Sequence, residues 1–340
     1  MAKIGVIGCG YWGIRHVRNF RDIPQATMAM VSDLSHERCD KVKEVFPGIS
    51  VTNNYQELLD SSIDGVVIAT PPGTHYSIAK DALLKGKHVL VEKPLTTSSA
   101  QASELIELAE KQNKVLMVGH TYSYNPAVDY LKNLITKGDM GQIYYIDSAR
   151  LNLGLFQQDV NVLWDLAPHD ISIILYLLQM EPHSVSARGA AHVDSKNHDI
   201  AYMEMRFPGD VVSNVHVSWL DPCKVRRLTV VGSKKMAVFD DSFDTEKIRI
   251  YDKGVSFPSS SDSVCAWPVT YRNGDVTIPH IPTPEPLNLE CTHFVECIDQ
   301  GKKCKSDGWS GLRVVSILEA AQKSLLNGGL RLSLDPVLSR

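Results

Sequence analysis

The sequence predicts an α/β protein, in which an N-terminal doubly wound parallel sheet is followed by an α+β domain with a large, mostly antiparallel open sheet. Three observations carry this prediction. Strand and helix patterns alternate over the first 120 residues, a glycine-rich turn follows the first strand, and strands of alternating polarity dominate from about residue 142. A chain of 340 residues has the length expected of two domains.

The strands predicted in the first 120 residues are short, continuous apolar runs, and each is followed by a helical pattern. They cover residues 3–7, 27–32, 64–69, 88–91 and 115–118. Strands that are apolar throughout are typical of parallel sheets, because helices cover both faces of such sheets. We therefore expect one domain over residues 1–120.

The second half of the chain, residues 121–340, has a different texture. Residues 202–207 and 215–219 alternate in polarity, and Pro208-Gly209-Asp210 marks a turn between such segments. This alternation is typical of antiparallel strands with two different faces. We predict helices over 165–180, 287–299 and 312–327, the last two of which could pack back on the first domain, and a loop over 256–263.

So few helices can cover only one face of the second sheet. An exposed, partly apolar sheet face usually marks a contact with another protein chain. We therefore expect a homodimer or homotetramer that assembles through this sheet.

Composition excludes several classes of protein. The formal net charge is −4 without a long basic run, so nucleic acid is not an expected partner. The longest apolar runs are too short to span a bilayer, and the N-terminus does not resemble a signal peptide. We expect a cytoplasmic protein.

The seven cysteines are scattered through the chain and contain no Cys-x-x-Cys pair. Reduced thiols are expected from this pattern rather than a disulfide framework or a zinc site. The twelve histidines form no His-x-x-x-His motif, so no metal is predicted. The cysteines are Cys9, Cys39, Cys223, Cys265, Cys291, Cys297 and Cys304.

The first strand runs into a Gly-x-Gly-x-x-Gly turn that opens a helix, and Asp33 closes the second strand. This context is the dinucleotide-binding fingerprint of a Rossmann fold, in which glycines let the backbone approach a pyrophosphate at a helix N-terminus. Asp33 would accept hydrogen bonds from ribose hydroxyls, which favours NAD over NADP, while Arg38 leaves NADP open. A capping role is the alternative for Asp33. The turn contains Gly8, Gly10, Tyr11, Trp12 and Gly13.

Two further groups follow later strands of the first sheet. Thr70, Pro71, Pro72 and His75 follow the strand over 64–69, at the edge where ligands bind in such sheets, and should line the ribose and nicotinamide. The next strand ends in Glu92-Lys93-Pro94, which we also assign to the cofactor site. The Lys93 ammonium could polarise a substrate oxygen, and a cis bond to the proline could fix the turn. An ordinary solvated lysine is the alternative.

A third group opens the helix predicted over 165–180. Asp165 and His169 are four residues apart and share a helix face, with Pro168 expected in the first turn. Histidine titrates near neutrality and suits proton abstraction from an alcohol, and Asp165 could orient it or bind a hydroxyl. The alternative is a capping aspartate next to an unrelated core histidine.

These motifs resemble the Gfo/Idh/MocA oxidoreductases over nearly the whole chain. The resemblance implies NAD binding, commonly dimers or tetramers, and a catalytic trio of Lys93, Asp165 and His169, with His169 as the acid/base. It rests on the glycine turn, Ala69-Thr70-Pro71-Pro72 with His75, Glu92-Lys93-Pro94-Leu95, Gly119-His120 with Asn125-Pro126, the Asp165/His169 pair, Glu285-Pro286-Leu287 with His293-Phe294, and Glu319-Ala320-Ala321.

The expected substrate is a sugar or a nucleotide sugar. Residues 159–170 look most similar to family members that oxidise C3 of UDP-N-acetylglucosamine-type sugars. Many members carry an arginine between the positions of Gly119 and Pro126, and this chain does not, which limits any transfer of substrate contacts. Arg150, Asn152 and Asn161 are candidates for holding the sugar or its diphosphate, together with the catalytic trio.

Three functions stay open at this point. The first is NAD-dependent oxidation of a sugar hydroxyl by hydride transfer, and the second is the reverse reaction on a keto-sugar or an inositol ketone. The third is a non-catalytic dinucleotide sensor or scaffold.

Overall fold

The computed structural model describes residues 1–256 and 269–337, which form two compact units. Unit 1 is formed by Met1–Tyr124 and Pro284–Glu319, and unit 2 by Asn125–Thr283 and Ala320–Pro336. No helix among the described residues combines the length and apolar character that a membrane crossing requires.

Unit 1 contains a parallel sheet of six strands in the order β3-β2-β1-β4-β5-β6. The sequence order reverses between β1 and β4, and this reversal opens a crevice at the carboxyl ends of the strands. The strands are β1 (Ala2–Ile7), β2 (Ala26–Ser32), β3 (Ser50–Thr52), β4 (Gly65–Ile68), β5 (His88–Glu92) and β6 (Leu116–Gly119).

Helices cover this sheet and explain why its strands are apolar. All four residues of β4 and of β6 are buried. The Phe20 ring packs edge-on against Phe294 at 6.3 Å, within the buried core below β1. The helices are α1 (Gly13–Asp22), α2 (His36–Val45), α3 (Tyr55–Asp60), α4 (Pro72–Leu84), α5 (Ser99–Lys111), α8 (Pro286–Gln300) and the first part of α9 (Gly308–Leu326). The predicted doubly wound parallel sheet is confirmed.

Unit 2 contains a sheet of nine strands in the order β14-β13-β12-β11-β7-β10-β9-β8-β15. Among the described strands, β7 and β10 pair in parallel and the remaining neighbours pair antiparallel, so the predicted mostly antiparallel sheet is confirmed. The strands are β7 (Ile143–Leu151), β8 (Ser184–Ala190), β9 (Ile200–Arg206), β10 (Val212–Ser218), β11 (Val225–Gly232), β12 (Met236–Asp240), β13 (Ile248–Ser256), β14 (Thr270–Thr277) and β15 (Leu332–Ser333).

Two helices of unit 2, α6 (Pro126–Thr136) and α7 (Val162–Leu178), pack together, and α7 lies on the central strands. Met203 and Val215 are buried on the face that α7 covers, whereas Tyr202 is 53% exposed on the opposite face. The Tyr202 ring stacks on His216 at 4.2 Å there. A cavity of about 720 Å³ lies on this side of the sheet.

The start of α7 corrects the sequence-based prediction. The helix begins at Val162 rather than Asp165, because the Asn161 side chain accepts hydrogen bonds from the Leu163 and Trp164 amides at 3.1 and 3.2 Å. Pro168 therefore lies in the helix interior and not in the first turn. Of the loop predicted over 256–263, Ser256 ends β13, and residues 257–263 lie outside the described residues, as does Cys265.

Candidate active site

The glycine turn between β1 and α1 has the geometry that a bound pyrophosphate requires. Gly8 has φ +92°, and a Cβ at Gly13 would lie 1.7 Å from the Gly8 carbonyl oxygen. A Cβ at Gly10 would meet only the Arg38 guanidinium, at 4.0 Å. Among the described residues, no side chain caps the N-terminus of α1. The turn thus leaves an uncrowded backbone at the positive end of a helix dipole.

Asp33 holds this turn against the end of β2. Its Oδ2 accepts a hydrogen bond from the Cys9 amide at 2.6 Å, and its Oδ1 accepts one from the Ser35 amide at 2.8 Å. The cap of α2 is Ser35, whose hydroxyl accepts from the Arg38 amide. Each carboxylate oxygen has a second lone pair, so Asp33 can still accept from a ribose hydroxyl.

The Arg38 guanidinium lies 3.6 Å from Asp33 Oδ2 with its side chain 58% exposed. Tyr11 and Trp12 extend from the turn into solvent, with 67% and 38% of their surface exposed, and Arg15 stacks on the Tyr11 ring at 3.5 Å. The predicted cofactor residues of the first two strands therefore cluster around one turn, and their geometry fits a dinucleotide.

The His75 ring lies between the segments that follow β4 and β5. The ring is 1% exposed and joins two loops, with Nδ1 2.7 Å from the Pro94 carbonyl oxygen and Nε2 2.8 Å from that of Thr70. Burial lowers the pKa of His75, although the two carbonyl contacts act in the opposite direction. Pro71 and Pro72 begin α4, and the Thr70 hydroxyl bonds to that of Thr74. These contacts let His75 position the two loops, and its contact with the cofactor stays a prediction.

Lys93 follows β5, and its peptide bond to Pro94 is cis. The neighbouring Glu92 is buried, and its Oε1 lies 2.8 Å from His16 Nε2. Burial raises the pKa of Glu92, but the His16 hydrogen bond and nearby positive charge outweigh it and hold the pKa below its usual value. The carboxylate is therefore ionised beside Lys93. His16, on α1, is a positioning residue that the sequence motifs did not indicate.

A second buried acid, Glu290 on α8, lies in the same unit. Its Oε2 accepts a hydrogen bond from the Thr121 hydroxyl at 2.7 Å, while Oε1 has no hydrogen-bond partner among the described residues. Burial and the nearby Glu92 raise the pKa of Glu290 well above its usual value. Burial also lowers the pKa of His120 to about 4. His120 is thus neutral at physiological pH, and burial favours the protonated form of Glu290.

In unit 2, Asp165 and His169 lie half-buried, one turn apart on α7. The Trp219 indole N–H donates a hydrogen bond to Asp165 Oδ2 at 3.0 Å. Trp219 is 1% exposed and fixed by contacts with Phe156 and Gly154. Trp219 thus helps to position the Asp165 carboxylate. The sequence alone does not indicate this contact, because the two residues are 54 positions apart.

The three predicted substrate residues have different surroundings. The Arg150 guanidinium is buried and forms hydrogen bonds with both oxygens of Asp170, at 2.7 and 3.2 Å. The Asn161 side chain caps α7 and donates to Gln322 at 2.8 Å. Asn152 is half-buried next to Gly154. Arg150 and Asn161 therefore both have hydrogen-bond partners within the protein. Their contact with a substrate stays a prediction.

Comparison with protein families identifies both units. Residues 2–120 match the oxidoreductase family model with an NAD-binding Rossmann fold, and residues 128–238 match the GFO/IDH/MocA C-terminal domain. The first match confirms the predicted Rossmann fold and NAD as the cofactor.

Individual relatives are similar along most of the chain. UDP-N-acetylglucosamine 3-dehydrogenase of Acidithiobacillus ferrooxidans is 29% identical over 92% of this chain and 94% of its own length. Its structure superposes with a TM-score of 0.79 at 27% identity, covering 95% of this chain and 97% of that one. Myo-inositol 2-dehydrogenase of Thermotoga maritima is 25% identical over 74% of this chain and 79% of its own length.

Proposed function

The chain belongs to the Gfo/Idh/MocA family of NAD-binding oxidoreductases, and from this premise we propose that it oxidises a secondary hydroxyl of a sugar or nucleotide sugar. Our first candidate is C3 of UDP-N-acetylglucosamine. The observation that carries the proposal is the similarity to UDP-N-acetylglucosamine 3-dehydrogenase, which extends over 94% of that enzyme. We expect the enzyme to work in the cytoplasm.

The glycine turn, Asp33 and the loop after β4 would hold the dinucleotide. Bound NAD supplies the acceptor for a hydride from the carbinol carbon. The remaining chemistry is removal of the hydroxyl proton, which requires a base that titrates near neutral pH. We assign this role to His169, whose imidazole suits it.

We assign to Lys93 the stabilisation of the same substrate oxygen as its negative charge develops. An ammonium placed in advance at such an oxygen stabilises the transition state more than the ground state. Lys93 in turn contributes to the lowered pKa of the neighbouring Glu92. We assign to Asp165, held by Trp219, the orientation of His169 or of a substrate hydroxyl.

A substrate panel tests this proposal. Purified enzyme is mixed with NAD or NADP and with UDP-N-acetylglucosamine, UDP-glucose, glucose, glucose 6-phosphate or myo-inositol, and reduced cofactor is followed by its absorbance. We expect the highest kcat/KM with the UDP-sugars and NAD. If free inositol or an unmodified hexose is oxidised at least as well as every UDP-sugar, the nucleotide-sugar assignment is wrong.

The same panel distinguishes the two other functions. An enzyme that works as a reductase would consume NADH with the 3-keto sugar or the inosose faster than it oxidises any alcohol. A sensor or scaffold would bind NAD without turnover in either direction. Measurements in both directions, with NAD binding determined independently, therefore separate all three functions.

A further inference from the structure

A second cluster of reactive side chains lies at the C-terminal end of α8 in unit 1. His293 and Cys297 are four residues apart on one helix face, and Cys304 follows the turn at Gly301. One nitrogen or sulfur atom from each of the three side chains lies within 4.8 Å of the other two. Cys297 is buried, and the other two residues are half-buried.

Two independent elements hold the two sulfur atoms in place. Cys297 is fixed by α8, which ends at Gln300 before Gly301 turns the chain with φ +64°. The segment after Cys304 is fastened to strand β6, because the Val118 amide donates to the Ser306 carbonyl and the Ser306 hydroxyl donates to the Val118 carbonyl, both at 2.8 Å. The cluster is therefore arranged by the fold and not by flexible side chains alone.

The His293 ring has the tautomer that a metal ligand needs. Its Nε2 accepts a hydrogen bond from the Lys305 amide at 3.1 Å, so this nitrogen carries a lone pair and Nδ1 carries the proton. Nδ1 lies 3.6 Å from the Glu296 carboxylate, which also pairs with Lys302 at 3.0 Å. A carboxylate behind the second ring nitrogen is the usual companion of a metal-bound histidine.

The distances also suit zinc. Zinc–sulfur and zinc–nitrogen bonds of about 2.3 and 2.0 Å in a tetrahedron place sulfur and nitrogen about 3.5 Å apart. The observed separation of Cys297 Sγ and His293 Nε2 is 3.4 Å. Two thiolates would balance the charge of Zn²⁺, so the site could be half-buried without a net charge. Thiolate and imidazole ligands together select zinc over magnesium or calcium.

We propose that His293, Cys297 and Cys304 bind one Zn²⁺ ion that ties the end of α8 to the segment bound to β6. Water completes the fourth position. The metal would replace the hydrogen bond that His293 Nε2 accepts from Lys305. The sequence did not predict this site, because the site contains neither a Cys-x-x-Cys nor a His-x-x-x-His pair. Its third residue is brought close by the turn at Gly301.

Cobalt titration tests the site in the full-length protein. The protein is reduced with a phosphine, stripped of metal with a chelator and titrated with Co²⁺. We expect a sulfur-to-cobalt charge-transfer band and the visible bands of tetrahedral cobalt, both saturating at one ion per chain. Zn²⁺ should bleach both bands, and dialysed protein should retain one zinc by elemental analysis.

Matched cysteine variants locate the site. Cys304→Ser should abolish the charge-transfer band or reduce it with at least a tenfold loss of affinity, whereas Cys223→Ser, at an exposed cysteine outside the cluster, should leave it unchanged. NAD binding by each variant shows that unit 1 is folded. The wild-type titration stands on its own if Cys304→Ser does not fold.

Two results would overturn the zinc proposal. One is the absence of a cobalt–thiolate band in fully reduced wild-type protein that binds NAD. The other is a band that Cys223→Ser removes and Cys304→Ser retains. Formation of a Cys297–Cys304 disulfide in air, with no metal bound after reduction, would reassign the pair to redox chemistry. None of these outcomes depends on which sugar the enzyme oxidises.

Discussion

Glu290 shows how a single buried side chain makes stability depend on pH. Its carboxyl is buried with one hydrogen bond from Thr121, and its pKa in the folded protein is raised well above the usual value of 4.5. In the unfolded chain this carboxyl has its usual pKa, and below that pH its contribution to the free energy of unfolding is fully present. The contribution is lost as the pH rises through the raised pKa of the folded protein, because the unfolded chain releases the proton at a lower pH.

We therefore predict that Glu290→Gln flattens this pH dependence. The amide keeps the shape of the protonated acid and cannot ionise, so the variant should be more stable than the wild type at alkaline pH, by about 1 kcal/mol or more. Urea unfolding at several pH values measures this difference. Glu107→Gln, at an exposed residue of α5, is the control and should change nothing. Equal pH profiles for wild type and Glu290→Gln would contradict a raised pKa of Glu290 in the folded protein.

Trp219 links the sheet of unit 2 to the proposed catalytic pair. Trp219→Phe removes the indole N–H that donates to Asp165 and keeps an aromatic ring in the buried site. We predict a fall in kcat of about tenfold, because a reacting group that loses its fixed position reacts more slowly. The loss of stability should stay below about 1.5 kcal/mol. Steady-state kinetics and urea unfolding give both values, and an unchanged kcat would show that Asp165 needs no such support.

At the scale of elements, the glycine turn between β1 and α1 gives the sharpest prediction. Gly13→Ala would place a methyl group 1.7 Å from the Gly8 carbonyl oxygen, so the backbone of the turn must move. We expect NAD affinity to fall at least tenfold and stability to fall by about 1–3 kcal/mol. Calorimetric titration with NAD measures the affinity.

Gly48→Ala is the matched control for this turn. Gly48 follows α2 with φ +96°, and a new Cβ there would meet nothing within 4 Å, so the substitution strains the backbone without creating a contact. This variant should lose stability but bind NAD as the wild type does. Normal NAD binding by Gly13→Ala would show that the close contact of helix and turn is unimportant for the cofactor.

Helix α7 shows where local sequence patterns succeed and where they fail. The apolar run after Asp165 correctly predicted the helix, but its true start depends on the Asn161 cap, which sequence reasoning had assigned to the substrate. The ion pair of Arg150 with Asp170 was missed for a similar reason. A polar residue near a predicted site suggests a ligand contact. Only the tertiary structure shows which of these side chains form hydrogen bonds within the protein.

At the scale of the whole molecule, the two sheets could be predicted because the pattern of apolar and polar residues along a strand indicates which of its faces are buried. Apolar strands predicted the parallel sheet, and alternating strands predicted the antiparallel one. The buried networks could not be predicted, since their partners are far apart in sequence. His16 and Glu92 are 76 residues apart, and Thr121 and Glu290 are 169 residues apart. Nothing local in the sequence marks such pairs.

The open face of the nine-stranded sheet leads to a prediction about assembly. Tyr202 projects from this face with 53% of its surface exposed, among charged side chains that include Glu204 and Arg227. We predict a homodimer or homotetramer that buries this face. Tyr202→Glu should shift the protein to a smaller species in sedimentation velocity, whereas Leu84→Glu, at an exposed residue of α4 in unit 1, should not. A monomeric wild type would contradict the prediction.

Turnover by Lys93→Ala, His169→Ala and the double variant, measured with saturating NAD and the best substrate of the panel, tests the central claim most directly. If both side chains act on one substrate oxygen, each single variant should lose about 10²–10⁴-fold in kcat while its NAD affinity stays nearly unchanged. The double variant should be little worse than the more damaged single variant, because groups that act as a unit are not additive. Near-normal turnover in both single variants would contradict the proposed mechanism.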